Sequence, residues 1–420
     1  MASEYELNRQ RQLQRRQELK RKRQQKKLKN RRLAIIAVGV AALVGLCALV
    51  TSLTRHVSQP KPTEAATRPT EPKDAVLEPE TVITLAFGGD INVTDKTASA
   101  GDYTALLKDT VPLFAGADSA AANFEGNLCG APYGTNGTRA PQAMMEALAA
   151  AGMDMLQIAN SCTINNGLLG LSQTVSGIRD AGMEPLGAYA SQEEADKYKG
   201  FTLRSIGGVK VAFVAFTKGM DNLSLPTGSE DRVNLLYKDY TSTYQELDTD
   251  GIRSLLQAVE REQPDITVAM LHWGSEFNNQ ISQSQTEIVE LMQEEGVDAI
   301  VGTHSHYVQK LEFDDREGTV VAYSLGDLLG DADKEGTAYS IVLQLEITKN
   351  NSNGTAKITD VNYVPVYTVV EESEDATTIR LLQIREAIAA YEANSINKVS
   401  DEIYTAMKTA LSRIESRVNG

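Results

Sequence analysis

Short apolar runs recur along the chain between Thr81 and His306, and amphipathic segments of helical period separate several of them. The runs are 81–90 (TVITLAFGGD), 119–126, 153–160, 183–189, 209–217, 265–274 and 297–306. Near-continuous apolar character over so few residues is how strands buried on both faces read. Segments 141–152, 168–182, 251–263 and 284–296 instead space apolar residues three and four apart, as one-sided helices do. Strand–helix–strand repetition confines the chain to an α/β fold with a largely parallel sheet. Beyond residue 306 the pattern changes. YVQKLEFDD turns at Glu317-Gly318 into TVVAYSLGD, and the runs 338–347 and 356–370 predict further antiparallel pairing. Residues 371–420 read as a polar helical segment that caps the domain or meets a partner.

Upstream of the domain the chain is built differently. Residues 33–53 (LAIIAVGVAALVGLCALVTSL) carry no charge, and as a helix they would span about 31 Å, the thickness of a bilayer's hydrocarbon core. A cleaved signal peptide fits less well, because more than thirty residues precede the run. A lipoprotein signal would need a small residue where Leu46 precedes Cys47. An uncleaved transmembrane anchor is therefore predicted. Residues 1–32 hold thirteen Lys/Arg against three Asp/Glu, so the positive-inside rule sets this basic tail in the cytoplasm and the rest outside the cell membrane. Residues 54–80, interrupted by Pro60, Pro62, Pro69, Pro72 and Pro79, form an extended linker to a domain over 81–370. With the basic tail set aside, 28 basic face 53 acidic residues, a balance that repels phosphate backbones and excludes a nucleic-acid partner.

Chemistry-bearing residues gather where strands are expected to end. Of four histidines, His56 lies in the linker; His272 closes one apolar run, and His304 and His306 close another. A His-x-His pair after Gly302 can turn two imidazoles toward one point, a common metal-ligand device. Asp90 also ends an apolar run, where an unpaired carboxylate is costly unless solvated or coordinated. Ligands of open α/β sheets bind at the carboxyl ends of the strands, so these residues can converge with Asn123 and Glu125. Gly88-Gly89 and Gly207-Gly208 lack phosphate-loop spacing, and the latter reads as a hairpin turn. No nucleophile elbow is present, and no Lys or Arg stands out as an anion clamp. Tyr237, Tyr240 and Tyr244 read as surface packing that could flank a site.

The motifs GGD (88–90), ANFEGN (122–127), HWGSE (272–276), GTHSH (302–306) and YSLGD (323–327) together resemble the CapA family of poly-γ-glutamate capsule biosynthesis, from about Val82 to Leu329. The resemblance implies a metallophosphoesterase-like sandwich of two mixed sheets flanked by helices. Its metal centre would draw on Asp90, Asn123, Glu125, His272, His304 and His306, with Asn123 and Glu276 in support and His272, Glu276 and Cys162 at the catalytic positions. One or two divalent ions (manganese, iron or zinc) are implied, as is work beside a polymer-synthesising membrane complex. Two departures stand out. Asn160-Ser161-Cys162 replaces the family's Asn-Asn-His, with Asn165 in place of a later Asp, and Asp327 replaces an Asn. Cys162 admits three readings: a disulfide with Cys129, a metal-binding thiolate or an inert thiol. A Cys–His pair with His272 or His306 is a further option.

Two functions follow. One is a metal-dependent hydrolase or transferase acting on a cell-surface polymer or its precursor. The other is a non-catalytic accessory subunit of a polymer synthesis or export complex, with a degenerate metal site.

Overall fold

A computed structural model describes residues 79–136, 138–372, 377–396 and 398–420. The basic tail, the 33–53 run and nearly all of the linker lie outside the described residues. Among the described residues, no helix is long and apolar enough to cross a membrane.

The strands are β1 (Glu80–Asn92), β2 (Ser119–Glu125), β3 (Met155–Gln157), β4 (Glu184–Leu186), β5 (Phe201–Ile206), β6 (Val209–Thr217), β7 (Ile266–His272) and β8 (Ala299–Thr303). They continue as β9 (Leu311–Asp314), β10 (Thr319–Ala322), β11 (Asp327–Leu329), β12 (Tyr339–Asn350), β13 (Ala356–Glu372) and β14 (Thr377–Gln383). They form two mixed sheets. The eight-stranded first sheet runs β14-β13-β12-β1-β2-β3-β4, with β11 also paired to β1. Within it β1 to β4 and β11 are parallel, whereas β12 to β14 are antiparallel. The six-stranded second sheet runs β5-β6-β7-β8-β10-β9, parallel from β6 to β10.

Period-two patterning sorts the core into layers. Leu85 and Phe87 of β1 pack with Val211, Phe213 and Ala215 of β6 and Val268 and Met270 of β7, between the sheets. The intervening Ala86 faces the helices Gln142–Ala150 and Gly167–Asp180. Ala212, Val214 and Phe216 face the helices Thr249–Arg261 and Gln283–Glu294 on the far side. Each of the larger side chains contributes about 1.5–3 kcal/mol by burial. Both outer helices begin where the sequence offers a cap. The Asp248 carboxylate accepts from Gly251 N–H, and Ser282 and Gln285 form a reciprocal capping box.

The expected sandwich of two mixed sheets flanked by helices is thus present, with differences in detail. The 153–160 and 183–189 runs shrink to the three-residue strands β3 and β4. β5 was not anticipated; it joins β6 through Gly207-Gly208, whose positive φ angles of 53° and 85° suit the expected hairpin turn. The expectation of helix from residue 371 is corrected. β13 continues to Glu372, and β14 completes the sheet edge because Ile379, Leu381 and Leu382 reach its buried faces. The helices Ile384–Glu392 and Asp401–Asn419 follow. Met407, Ala410, Ile414 and Val418 of the last helix fill the flank of the inter-sheet core, so this segment caps the domain.

Candidate metal centre

At the carboxyl ends of the strands the inner faces of both sheets turn from apolar to polar. In β7 the inward series Val268, Met270 ends on His272, and its in-register neighbours are Thr217 of β6 and Thr303 of β8. In β2 the inward series continues from Ala121 to Asn123 and Glu125. β1 reaches the same face only through an irregularity. Phe87 pairs with Ala121 but Asp90 with Asn123, one residue more on β1 than on β2. This bulge turns Asp90 inward, where strict alternation would have sent it toward the helices. Gly89 permits it: a Cβ there would lie 1.8 Å from the Gly326 carbonyl oxygen, to which Asp90 N–H donates at 3.0 Å.

Two overlapping sets of ligand atoms result, each within 4.8 Å of one another: Asp90, Glu125 and His272, and Asp90, His306 and Asp327. All five residues are buried or nearly so. His306 Nδ1 lies 2.8 Å from Asp327 Oδ1 and 3.9 Å from Asp90 Oδ2. His272 Nδ1 lies 3.8 Å from Glu125 Oε1. His304 and His306 follow β8 with φ angles of 84° and 59°, a left-handed conformation that non-glycine residues hold only where surroundings impose it. The imposing contacts are on either side: His304 N–H donates to Asp90 Oδ2 at 3.0 Å. Phe277, itself at φ 52°, stacks on the His306 ring at 4.9 Å.

A hydrogen-bond chain orients the ligands. Cys162 N–H donates to Asn160 Oδ1, and Asn160 Nδ2 donates to the Phe124 carbonyl and to Asn123 Oδ1. Those backbone partners fix the Asn160 amide, which in turn leaves Asn123 presenting its NH2 to Asp90 Oδ1 (2.7 Å) and Glu125 Oε1 (3.2 Å). Asn123, expected at the metal centre as a ligand or in support, thus hydrogen-bonds two of the carboxylates of that centre. His272 Nε2 meets Ser161 Oγ at 3.1 Å, and its Nδ1 meets Thr303 Oγ1 at 3.2 Å.

The electrostatics are those of a centre with excess buried acid. Burial pushes Asp90 up to about 6 and lifts Glu125 and Asp327 above the usual carboxylate range, the Glu125 shift reinforced by Asp90. Burial also pushes His272 and His304 well below the ordinary imidazole value, so both are neutral. Burial would depress His306 too, but the Asp327, Glu125 and Asp90 carboxylates outweigh it and hold His306 at about 10. Three carboxylates against one imidazolium, with neutral imidazoles beside them, are a donor set that fits a divalent cation.

The other expected residues fall as follows. His304 is in neither ligand set; its ring lies 4.4 Å from that of His272, and its buried Nδ1 has no hydrogen-bond partner. Glu276 is exposed and lines an adjoining cleft rather than the metal centre. The Cys129–Cys162 disulfide is corrected: both cysteines are free. Burial pushes the Cys162 thiol well up, with Glu125 adding to the effect, and Cys162 belongs to neither ligand set. Several residues escaped the sequence reading of the site. Asp327 was set down only as a departure, Asn160 only as the start of one, and Lys218 lines the cleft although no cation stood out along the chain. Tyr244 does flank the site, from the wall of the same cleft.

A buried cluster of carboxylates and imidazoles between two sheets defines a candidate metal-binding protein of the α/β class. The chain matches the family described as "Bacterial capsule synthesis protein PGA_cap" over residues 84–332, and it belongs to that family. It is 24% identical over 292 residues to the PGA biosynthesis protein CapA of Bacillus subtilis (strain 168), covering 67% of this chain and 72% of that protein. To the capsule biosynthesis protein CapA of Bacillus anthracis it is 26% identical over 219 residues, covering 52% of this chain and 49% of that one. Among solved structures it is similar to the calcineurin-like phosphoesterase YfkN of Bacillus subtilis (TM-score 0.41, 16% identity, 72% of this chain and 94% of that one). It is also similar to a phosphatase of Mycoplasma pneumoniae (TM-score 0.43, 13% identity, 68% of this chain and 94% of that one).

Proposed function

We propose that this capsule-synthesis protein is a metal-dependent hydrolase or transferase acting on a surface polymer or its precursor. The observation that carries the reading is Asp90, buried and common to two ligand sets supplied by both sheets. A divalent ion bound there supplies Lewis acidity near neutral pH, and the mixed oxygen and nitrogen donors suit manganese, iron or zinc. Around it the chain's own groups have separate tasks. Asp90, Glu125 and Asp327 balance charge, while Asn123 and Asn160 hold the carboxylates in place. Ser161 steadies His272, and Phe277 shields His306 from water. The uncharged 33–53 run and the basic residues before it support single-pass anchoring, with the catalytic domain outside the membrane and beside other subunits of a polymer-synthesis complex.

The second reading, an accessory subunit without turnover, is favoured by one observation. Where the family resemblance implies an imidazole, Cys162 offers a thiol that burial keeps protonated. Metal analysis of the full chain, followed by turnover assays on phosphoesters and γ-glutamyl polymer, separates the two. Turnover that is lost in Asp90→Asn supports the enzyme; bound metal without turnover on any such substrate supports the accessory subunit.

A further inference from the structure

Beside the ligand sets, Ser161, Lys218, Asp221, Tyr244, Glu276 and His304 line a cleft of 240 Å³. His304 is only 4% exposed and its Nδ1 lacks a partner. Leaving a buried ring nitrogen unpaired is costly, and His304 is one of the residues that line the cleft. Lys218 enters from the end of β6. Its backbone N–H donates to the His272 carbonyl, and its ammonium donates to the Gly274 carbonyl at 2.9 Å and stands 4.5 Å over the Tyr244 ring. An ammonium has three donors, so this contact leaves capacity for a ligand. Burial lowers the Lys218 pKa, and the nearby Glu276 and Asp221 carboxylates oppose that shift. Both carboxylates are exposed, whereas Lys218 is partly covered.

The signs select the occupant. A phosphate dianion would meet two carboxylates at the mouth, and a simple amine would meet the ammonium inside. A group carrying both signs on one carbon satisfies each side. We propose that the cleft is a ligand subsite for an amino-acid-type group, its carboxylate on Lys218 and His304 and its ammonium on Asp221 and Glu276. At 240 Å³ the cleft is smaller than the about 300–1,000 Å³ of sites for drug-sized ligands, so it holds one such unit. Its part in turnover rests on the metal-centre reading above; its binding of the ligand does not.

The test titrates racemic alanine, propionate, ethylamine and inorganic phosphate separately into the full chain by calorimetry, with metal content measured in every sample. Alanine is expected to bind at least tenfold more tightly than each of the other three probes. Lys218→Met should weaken alanine at least tenfold with metal content unchanged, and Lys218→Arg, which keeps the charge and guards against misfolding as an explanation, should retain most binding. The double variant Asp221→Asn/Glu276→Gln should erase the preference for alanine over propionate. Phosphate binding more tightly than alanine, no saturable alanine binding, or wild-type alanine affinity in Lys218→Met overturns the proposal. Loss of metal from the wild-type chain counts against the metal-centre reading instead.

Discussion

The two sheets contribute opposite chemistry to one cleft. The first supplies the carboxylates Asp90, Glu125 and Asp327 from β1, β2 and β11; the second supplies the imidazoles His272, His304 and His306 from β7 and the turn after β8. Neither edge is a metal site by itself. Carboxylates alone would repel one another, and neutral imidazoles alone lack charge to balance a dication. Packing of the two apolar inner faces brings them together, so the centre is a product of inter-sheet burial rather than of any local motif. That division explains why the carboxylates sit above their ordinary pKa and two imidazoles below theirs: each sheet brings groups that burial destabilises in charged form.

The contrast can be broken most severely at the bulge of the acidic sheet. Gly89→Ala drives a methyl into the Gly326 carbonyl and should destabilise the domain by about 3 kcal/mol, read as a lowered urea midpoint, with loss of metal uptake. Next comes the chain that orients the acids. Asn160→Ala leaves Cys162 N–H and Asn123 Oδ1 without their partner, and metal affinity should fall about 10–100-fold in calorimetric titrations.

A milder perturbation, pH, sharpens the comparison. His306 is held at about 10 by the acidic sheet, so its imidazolium stabilises the metal-free fold fully below about 6.5, its unfolded value. That stability is lost as pH rises through about 10. A metal that takes His306 as ligand must displace this proton, so apparent affinity should rise about tenfold per pH unit between about 6.5 and 10. A flat profile would show that His306 stays outside the coordination. Asp327→Asn has the smallest expected effect. It removes the 2.8 Å partner, and the His306 pKa, followed by NMR titration in metal-free protein, should drop from about 10 toward the ordinary value.

Much of this arrangement was legible from strand ends. Asp90, Glu125, His272 and His306 each close or follow an apolar run, and period-two burial carries them to the inner faces. What escaped was set by contacts between distant segments. Asp327 sits in register with Asp90 only because the three-residue β11 lies parallel to β1, a pairing too short to leave a sequence pattern. Lys218 acquires meaning from Asp221 and Tyr244, farther along the same connection after β6, and from Glu276, on the loop after β7. β14 was read as helix because Thr377–Gln383 mixes polar and apolar residues without strict alternation. The disulfide expectation rested on loop proximity and oxidising surroundings. The fold instead buries Cys162 with Asn160, beneath the metal ligands, while Cys129 stays partly exposed.

Anomalous scattering from crystals of the protein soaked in manganese tests the shared grip of the two sheets most directly. The account predicts a peak about 2.0–2.3 Å from an Asp90 carboxylate oxygen and from a ring nitrogen of His272 or His306. A peak held by residues of one sheet alone, or no peak in this cleft at saturating manganese, would contradict it.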